Sequence, residues 1–309
     1  ELYAKVDELM AMFRVVEAAK MLTSGGLTED QVRAYPQYTN IQERLDQLIQ
    51  CGKLCLDPDN VPEQGEQSVG VGGRRLSRKL SARKDQAWQR VYESKADGEV
   101  DAYLEFLWQG GAKSGWIKLV TLLEAPLADS ILPANEDDLW VDWNNLVPEN
   151  PEIIGQRHNL RLRRQFKTKV TVMYVDIVRS HSAVEVSRYP DEAGYLVEVV
   201  KSLPLSDPST PQPPKGFECM DVEAYNVWLP TTTKKGKDAV VLVQVSRLDV
   251  GVPIPSWAVK PIGKRLAPGI IKSFRDCAAY SMPGSGYPKF IKKRTEDKDG
   301  FYRFLDELQ

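Results

Sequence analysis

The stretch Val243-Gln244-Val245-Ser246-Arg247-Leu248-Asp249-Val250-Gly251-Val252-Pro253-Ile254-Pro255-Ser256-Trp257-Ala258-Val259 joins two kinds of periodicity. Up to Val250 it is rich in β-branched residues and reads as the end of a strand that begins near Ala239. Gly251, Pro253 and Pro255 then interrupt any regular ladder, and Ser256 stands where a helix can start. The helix is expected to run to Ala279, with Trp257, Ile262, Leu266, Ile270 and Phe274 on one face. Lys260, Lys264, Arg265, Lys272 and Arg275 fall mostly elsewhere, so this helix has an apolar side and a basic side.

Upstream of that strand, β signals dominate from Leu160: Lys169 to Val178, Ser182 to Tyr189, Tyr195 to Leu203 and Phe217 to Leu229. Strands that follow one another through turns, with no long helix between them, give an antiparallel sheet. Val100 to Trp108 and Trp116 to Glu124 read as a hairpin around a glycine-rich turn, preceded by a short helix over Gln86 to Lys95. Residues 127–146 form a helical stretch containing Leu139, Trp140 and Trp143 and interrupted near Pro133. Period two places Val241, Val243 and Val245 on one face of the last strand and Val240, Leu242, Gln244 and Ser246 on the other. In the strand before it, Met220, Val222, Ala224, Asn226 and Trp228 oppose Cys219, Asp221, Glu223, Tyr225 and Val227.

Residues 1–56 form an N-terminal helical extension. Its first helix carries Leu2, Val6, Leu9, Met10, Phe13, Val16 and Ala19 in one stripe and ends at Thr23-Ser24-Gly25-Gly26. Thr28-Glu29-Asp30-Gln31 has the pattern of a capped helix start, and Ile41 to Cys51 is a further helix. Residues 57–85 read as a polar, basic linker holding Arg74, Arg75, Arg78 and Lys79. Residues 86–282 are the main domain, and 283–309 are a C-terminal tail in which Phe290, Phe301, Tyr302 and Leu305 offer apolar contacts.

The order of hairpin, helix, antiparallel meander and long C-terminal helix resembles the START superfamily of lipid-binding proteins. Family members show an apolar strand, an acidic residue near a glycine, then a proline and a tryptophan opening a lid helix. Asp249, Gly251, Pro253 and Trp257 match that pattern. Asn135-Glu136-Asp137-Asp138-Leu139-Trp140-Val141-Asp142-Trp143 is similar to the acidic, Trp-ended helix of the family. The resemblance spans roughly Gln86 to Tyr280. It implies an α+β helix-grip fold, with a curved antiparallel sheet wrapped around the C-terminal helix and a cavity for a lipid or other apolar molecule. A lining of Trp143, Tyr174, Leu196, Trp228, Val243, Trp257, Leu266 and Ile270 around about 300 Å3 or more of space is expected. Pro261 and Pro268 depart from the family pattern of an uninterrupted lid.

The charge balance sets the partners. Forty-one basic and 43 acidic side chains leave a net charge of −2, so no general field draws the chain to nucleic acid. Positive charge gathers only locally, and Arg74, Arg75, Arg78, Lys79, Lys264 and Arg265 are the candidate contacts with an anionic membrane surface. The N-terminal helices and the tail are candidate docking elements for a protein partner, the competing reading being an adaptor subunit. The two histidines, His158 and His181, have no nucleophile or carboxylate motif beside them, so no enzyme is expected. Cys51 and Cys55 would supply only two of the four ligands of a structural zinc site, and Gly70-Val71-Gly72-Gly73 lacks the Gly-Lys-Ser/Thr of a phosphate loop. Hence no metal or cofactor is expected. Four scattered cysteines fit the cytoplasm or an organelle interior, with the chain peripheral to a membrane at most. No basic segment followed by an apolar core opens the chain, and with Glu1 in place of Met a removed targeting peptide is compatible with the sequence.

Overall fold

A computed structural model describes residues 2–56, 88–96, 98–108, 112–172, 175–191, 193–249 and 255–308. Four helices come first: α1 (Leu2–Ala11), α2 (Val15–Ser24), α3 (Glu29–Arg33) and α4 (Tyr38–Leu56). The single helix expected over residues 1–22 is two. Phe13 takes φ 59° between them and packs its ring against Tyr189, with the Arg44 guanidinium 4.8 Å from its centre. The expected capping box opens α3, Gln31 N–H donating to Thr28 Oγ1 and Thr28 N–H to Gln31 Oε1.

Among the described residues, ten strands form one sheet: β1 (Gln89–Ala96), β2 (Glu99–Trp108), β3 (Ser114–Leu123), β4 (Glu152–Ile153), β5 (Arg161–Val172), β6 (Val175–Pro190), β7 (Leu196–Ser202), β8 (Glu218–Cys219), β9 (Asp221–Thr232) and β10 (Asp238–Asp249). The order is β1-β2-β3-β10-β9-β7-β6-β5-β4, with short β8 parallel to β6. The helix expected over Gln86 to Lys95 is strand β1. Helix formers such as Gln89, Arg90, Glu93 and Lys95 are frequent in its sequence, but the strand pairs antiparallel with β2, with Ala96 opposite Glu99 and Gly98 at φ 82°. Arg90 then reaches across to Glu105 and lies 4.0 Å over the Tyr103 ring.

Between β3 and β4 come α5 (Leu127–Asn135) and a 3-10 turn (Asp137–Asp142); after β10 come α6 (Ser256–Ala278), α7 (Pro288–Glu296) and α8 (Phe301–Leu308). None of the described helices is long and apolar enough to cross a membrane. Helix α5 continues through Pro133 and ends at Asn135.

Both faces of the sheet are covered. On one face Tyr189, Val197, Val199, Tyr225, Val227, Val243 and Val245 form a single core with α1, α2 and α4. On the other, Leu196, Trp228 and Leu242 pack with α5, the end of α6, α7 and α8, while Leu104, Leu119 and Ala102 receive Ala267 and Ile271 of α6. The tail residues Phe290, Phe301, Tyr302 and Leu305 are therefore part of the core.

Helix α6 meets the sheet one residue away from its expected stripe. Gly263, Ala267 and Ile271, spaced by four, are buried in its middle, with Ala258 before them and Cys277 and Ala278 after, and Ile262, Leu266, Ile270 and Phe274 are half-buried on the flank. Small side chains permit a close approach. A Cβ on Gly263 would stand 2.3 Å from the Phe106 ring. The helix continues through Pro261 and Pro268, which lie on its exposed side. Gly263→Leu should therefore wedge α6 off β2 and lower the unfolding free energy by about 1–3 kcal/mol, as overpacking does. Urea denaturation checks this, and an unchanged midpoint would mean that α6 is not held at Gly263.

Candidate functional site

Strand register sorts the α6-side face into rows. Cross-strand pairs align Leu119, Gln244, Asn226, Glu198 and Arg188 in one row running across β3, β10, β9, β7 and β6. One neighbouring row is Thr121, Leu242, Trp228 and Leu196; the other is Ile117, Ser246, Ala224, Val200, Val186 and Leu162. A polar row thus crosses the middle of an otherwise mostly apolar face.

Arg188 is fully buried and donates Nε–H to Glu198 Oε2 at 2.7 Å and Nη1–H to Asn135 Oδ1 at 2.7 Å and Asn159 O at 2.6 Å. Asn226 Nδ2 donates to Glu198 Oε1 at 2.7 Å. The network leaves the sheet through Asn135, which donates to the Tyr302 hydroxyl of α8 at 2.9 Å; that hydroxyl donates to Glu136 Oε1 at 2.6 Å. Beside it, Arg164 pairs with Asp137 at 2.7 Å and lies 4.4 Å over the Trp140 ring. Burial alone would raise the Glu198 pKa, yet the charges of Arg188 and Arg164 and the hydrogen bond from Asn226 hold it below the ordinary carboxylate value. Four buried polar atoms on this face have no hydrogen-bond partner among the described residues: Arg188 Nη2, Arg164 Nε, Asn226 Oδ1 and Trp228 Nε1.

Of the sequence-predicted lining, Trp143, Leu196 and Trp228 are brought together in one core, with Trp143 against Phe274 of α6 at 5.7 Å between ring centres. Leu266 and Ile270 flank the α6 contact. Val243 belongs to the opposite face, because it sits opposite Val227 rather than Trp228 and packs under the N-terminal helices. Trp257 is 78% exposed at the start of α6, so it closes nothing; the shift of the buried stripe to the small residues carries it outward. Tyr174, Arg74, Arg75, Arg78 and Lys79 lie outside the described residues, while Lys264 and Arg265 are exposed on α6. Two hollows among the described residues lie elsewhere than between α6 and the sheet. One, of about 340 Å3, lies between the N-terminal helices and the sheet; the other, of about 620 Å3, is an open cleft beside α7.

Arg188, Glu198 and Asn226 were not singled out from sequence. Their signal is a charge inside an apolar run, as in Leu196-Val197-Glu198-Val199-Val200, where both faces of the strand are buried. His181 is a buried strand residue hydrogen-bonded to Gln165, its pKa lowered by burial and then by Lys167.

No protein-family model matches the sequence. No curated protein matches it either. Solved structures do resemble the fold. Human STARD10 superposes with a TM-score of 0.52 at 15% identity, over 72% of this chain and 82% of that one. Human StAR-related lipid transfer protein 5 gives 0.50 at 14% identity, over 62% and 86%. The chain has the fold of these START structures, an α+β helix-grip arrangement of one antiparallel sheet and a long helix, α6, after its last strand.

The buried ion pair yields a sign. A carboxylate held low contributes stability that is present above the ordinary value of 4.5 and is lost as pH falls through the folded value. Glu198→Gln should remove that part of the acid limb in a pH series of urea midpoints. Arg188→Met, which leaves Glu198 buried without its partner, should cost about 3–5 kcal/mol near neutral pH. Parallel acid limbs in wild type and Glu198→Gln would show that Glu198 is not the group held low.

Proposed function

We propose that the chain is a non-enzymatic binding protein for a lipid or similar amphiphile, taken up between α6 and the inner face of the sheet and carried between membranes. The observation that supports this most is the polar row in an apolar face. Arg188 Nη2, Asn226 Oδ1 and Trp228 Nε1 are buried donors and acceptors without partners among the described residues, and such groups are costly unless something bonds them. A molecule with a polar head and an apolar body satisfies the row and the flanking rows together. Human StAR-related lipid transfer protein 5, whose name states lipid transfer, shares the fold.

Uptake requires α6 to move. Its contact with β1, β2 and β3 is made by Gly263, Ala267 and Ile271, two of them small, so the helix can separate from the sheet at less cost than one anchored by large residues throughout. Trp257 supplies a reason to move. An exposed indole with Lys260, Lys264 and Arg265 exposed along the same helix suits an anionic bilayer surface, where aromatic rings settle at the head-group level and each basic residue adds about 1 kcal/mol. The close seating of α6 on the sheet favours one competing reading, an adaptor whose START-like body is a solid docking module.

Two measurements separate the readings. Native mass spectrometry after incubation with a total lipid extract should show one bound amphiphile, and hydrogen exchange over 256–278 should slow when it binds; no adduct from any lipid class would leave the adaptor. In vesicle sedimentation, binding should require anionic lipid, weaken with salt, and fall in both Trp257→Ala and the pair Lys264→Glu with Arg265→Glu. Equal binding to neutral and anionic vesicles would remove the membrane role of this helix.

A further inference from the structure

The N-terminal helices do not lie flat on the sheet. Phe13, at φ 59°, separates α1 from α2, and residues of α2, of α4 and of the segment from Tyr189 to Tyr195 face one another. Between them remains the hollow of about 340 Å3, with Phe13, Val15, Leu48, Gly52 and Tyr195 in its walls and Val197 with Val227 behind. Val197 and Val227 belong to the face opposite Arg188 and Glu198, so the full thickness of the sheet separates this hollow from the α6 side.

Its wall is mostly apolar, with the charged side chains of Arg14, Glu17, Lys20 and Asp191 also lining it. Several of its polar side chains are engaged: Arg14 pairs with Glu17 at 2.5 Å, and the Tyr189 hydroxyl donates to Gln47 at 2.9 Å. Asp191 accepts from the Ala193 N–H at 2.8 Å, and Lys20 stands exposed. Cys51, also in the wall, is a buried neutral thiol, since its hydrogen bond with Cys55 and its burial push its pKa far up. Gly52 keeps the space open. It sits inside α4, where a Cβ would meet no atom within 4 Å. The volume falls in the range of small-molecule sites, about 300–1,000 Å3.

We infer that this hollow is a second ligand site, formed by the N-terminal extension on the outer face of the sheet, for a small, neutral, largely aromatic or alicyclic molecule. Its occupant bridges α2, α4 and the β6–β7 turn, so it ties the N-terminal helices to the body independently of anything held under α6.

Benzophenone is a neutral aromatic ketone that inserts into nearby C–H bonds when irradiated, and it serves as the probe on the full chain. Peptide mapping should place adducts within residues 13–20, 48–56 or 189–197. Those adducts should be lost in Gly52→Leu, whose side chain fills the hollow, while its unfolding midpoint stays at or above that of wild type because leucine favours the helix more than glycine does. Absence of adducts from all three segments in the wild-type protein overturns the proposal, as does labelling there that survives Gly52→Leu undiminished. Adducts on residues facing α6 report on the inner site alone, so the two sites stand or fall separately.

Discussion

Arg188 is the largest side chain that the fold removes completely from water, and its pairing with Glu198 constrains everything around it. A guanidinium at that depth needs an opposite charge and partners for most of its donors. Glu198 on the neighbouring strand satisfies Nε, and Nη1 is satisfied by Asn135 at the end of α5 and by the carbonyl of Asn159 before β5. Asn135 in turn holds Tyr302, which fixes α8. One charge in the sheet thereby sets the positions of the helix before the meander and of the last helix of the chain. The packing of Phe301, Tyr302 and Leu305 follows from that placement as much as from their hydrophobicity.

The long helix obeys a different constraint. Its contact with the sheet runs along Gly263, Ala267 and Ile271, so at the two small residues its backbone comes close to β2 and most of its large side chains are displaced to the flanks. Ile262, Leu266 and Ile270 are half-buried there, and the aromatic series Phe274, Trp143, Trp140 and Phe166 continues from the helix across to β5. Close approach gives good dispersion contact over a narrow line and little buried side-chain volume. A helix held in this way is well positioned while docked, yet it has few knobs to withdraw from holes when it leaves.

The strand-to-helix joint at β10 and α6 was legible because period two, a Gly and two Pro residues, and a 3.6-residue stripe follow one another within seventeen residues. The meander was legible for the same reason. What sequence left open was which side each face serves. Val240 to Val245 is an almost unbroken apolar run, and that pattern arises when both faces are buried, so no polar alternation marked the inner one. Val243 was consequently assigned to the wrong side. Trp257 was misplaced by a related effect: hydrophobic size located the stripe on α6, whereas contact was decided by Gly263 and Ala267, which hydrophobicity ranks low. Strand β1 was hidden because Glu, Lys, Arg and Gln suit an exposed helix, and only the Asp97-Gly98 turn signalled the hairpin.

The face of Val243 is set by the N-terminal extension. A sheet with a single buried face would need polar residues at Val197, Val199, Tyr225, Val227, Val243 and Val245, and the chain instead has apolar side chains there, covered by α1, α2 and α4. Without residues 1–56 those side chains would form an exposed apolar patch on the sheet, of the kind that drives association. The extension is therefore structurally obligatory for this version of the fold. It also frees the inner face from carrying all of the stability. With one complete hydrophobic core already on the outer face, the inner face can hold buried polar atoms without partners among the described residues and a helix seated partly on glycine and alanine, features that a sheet with only one core would tolerate poorly.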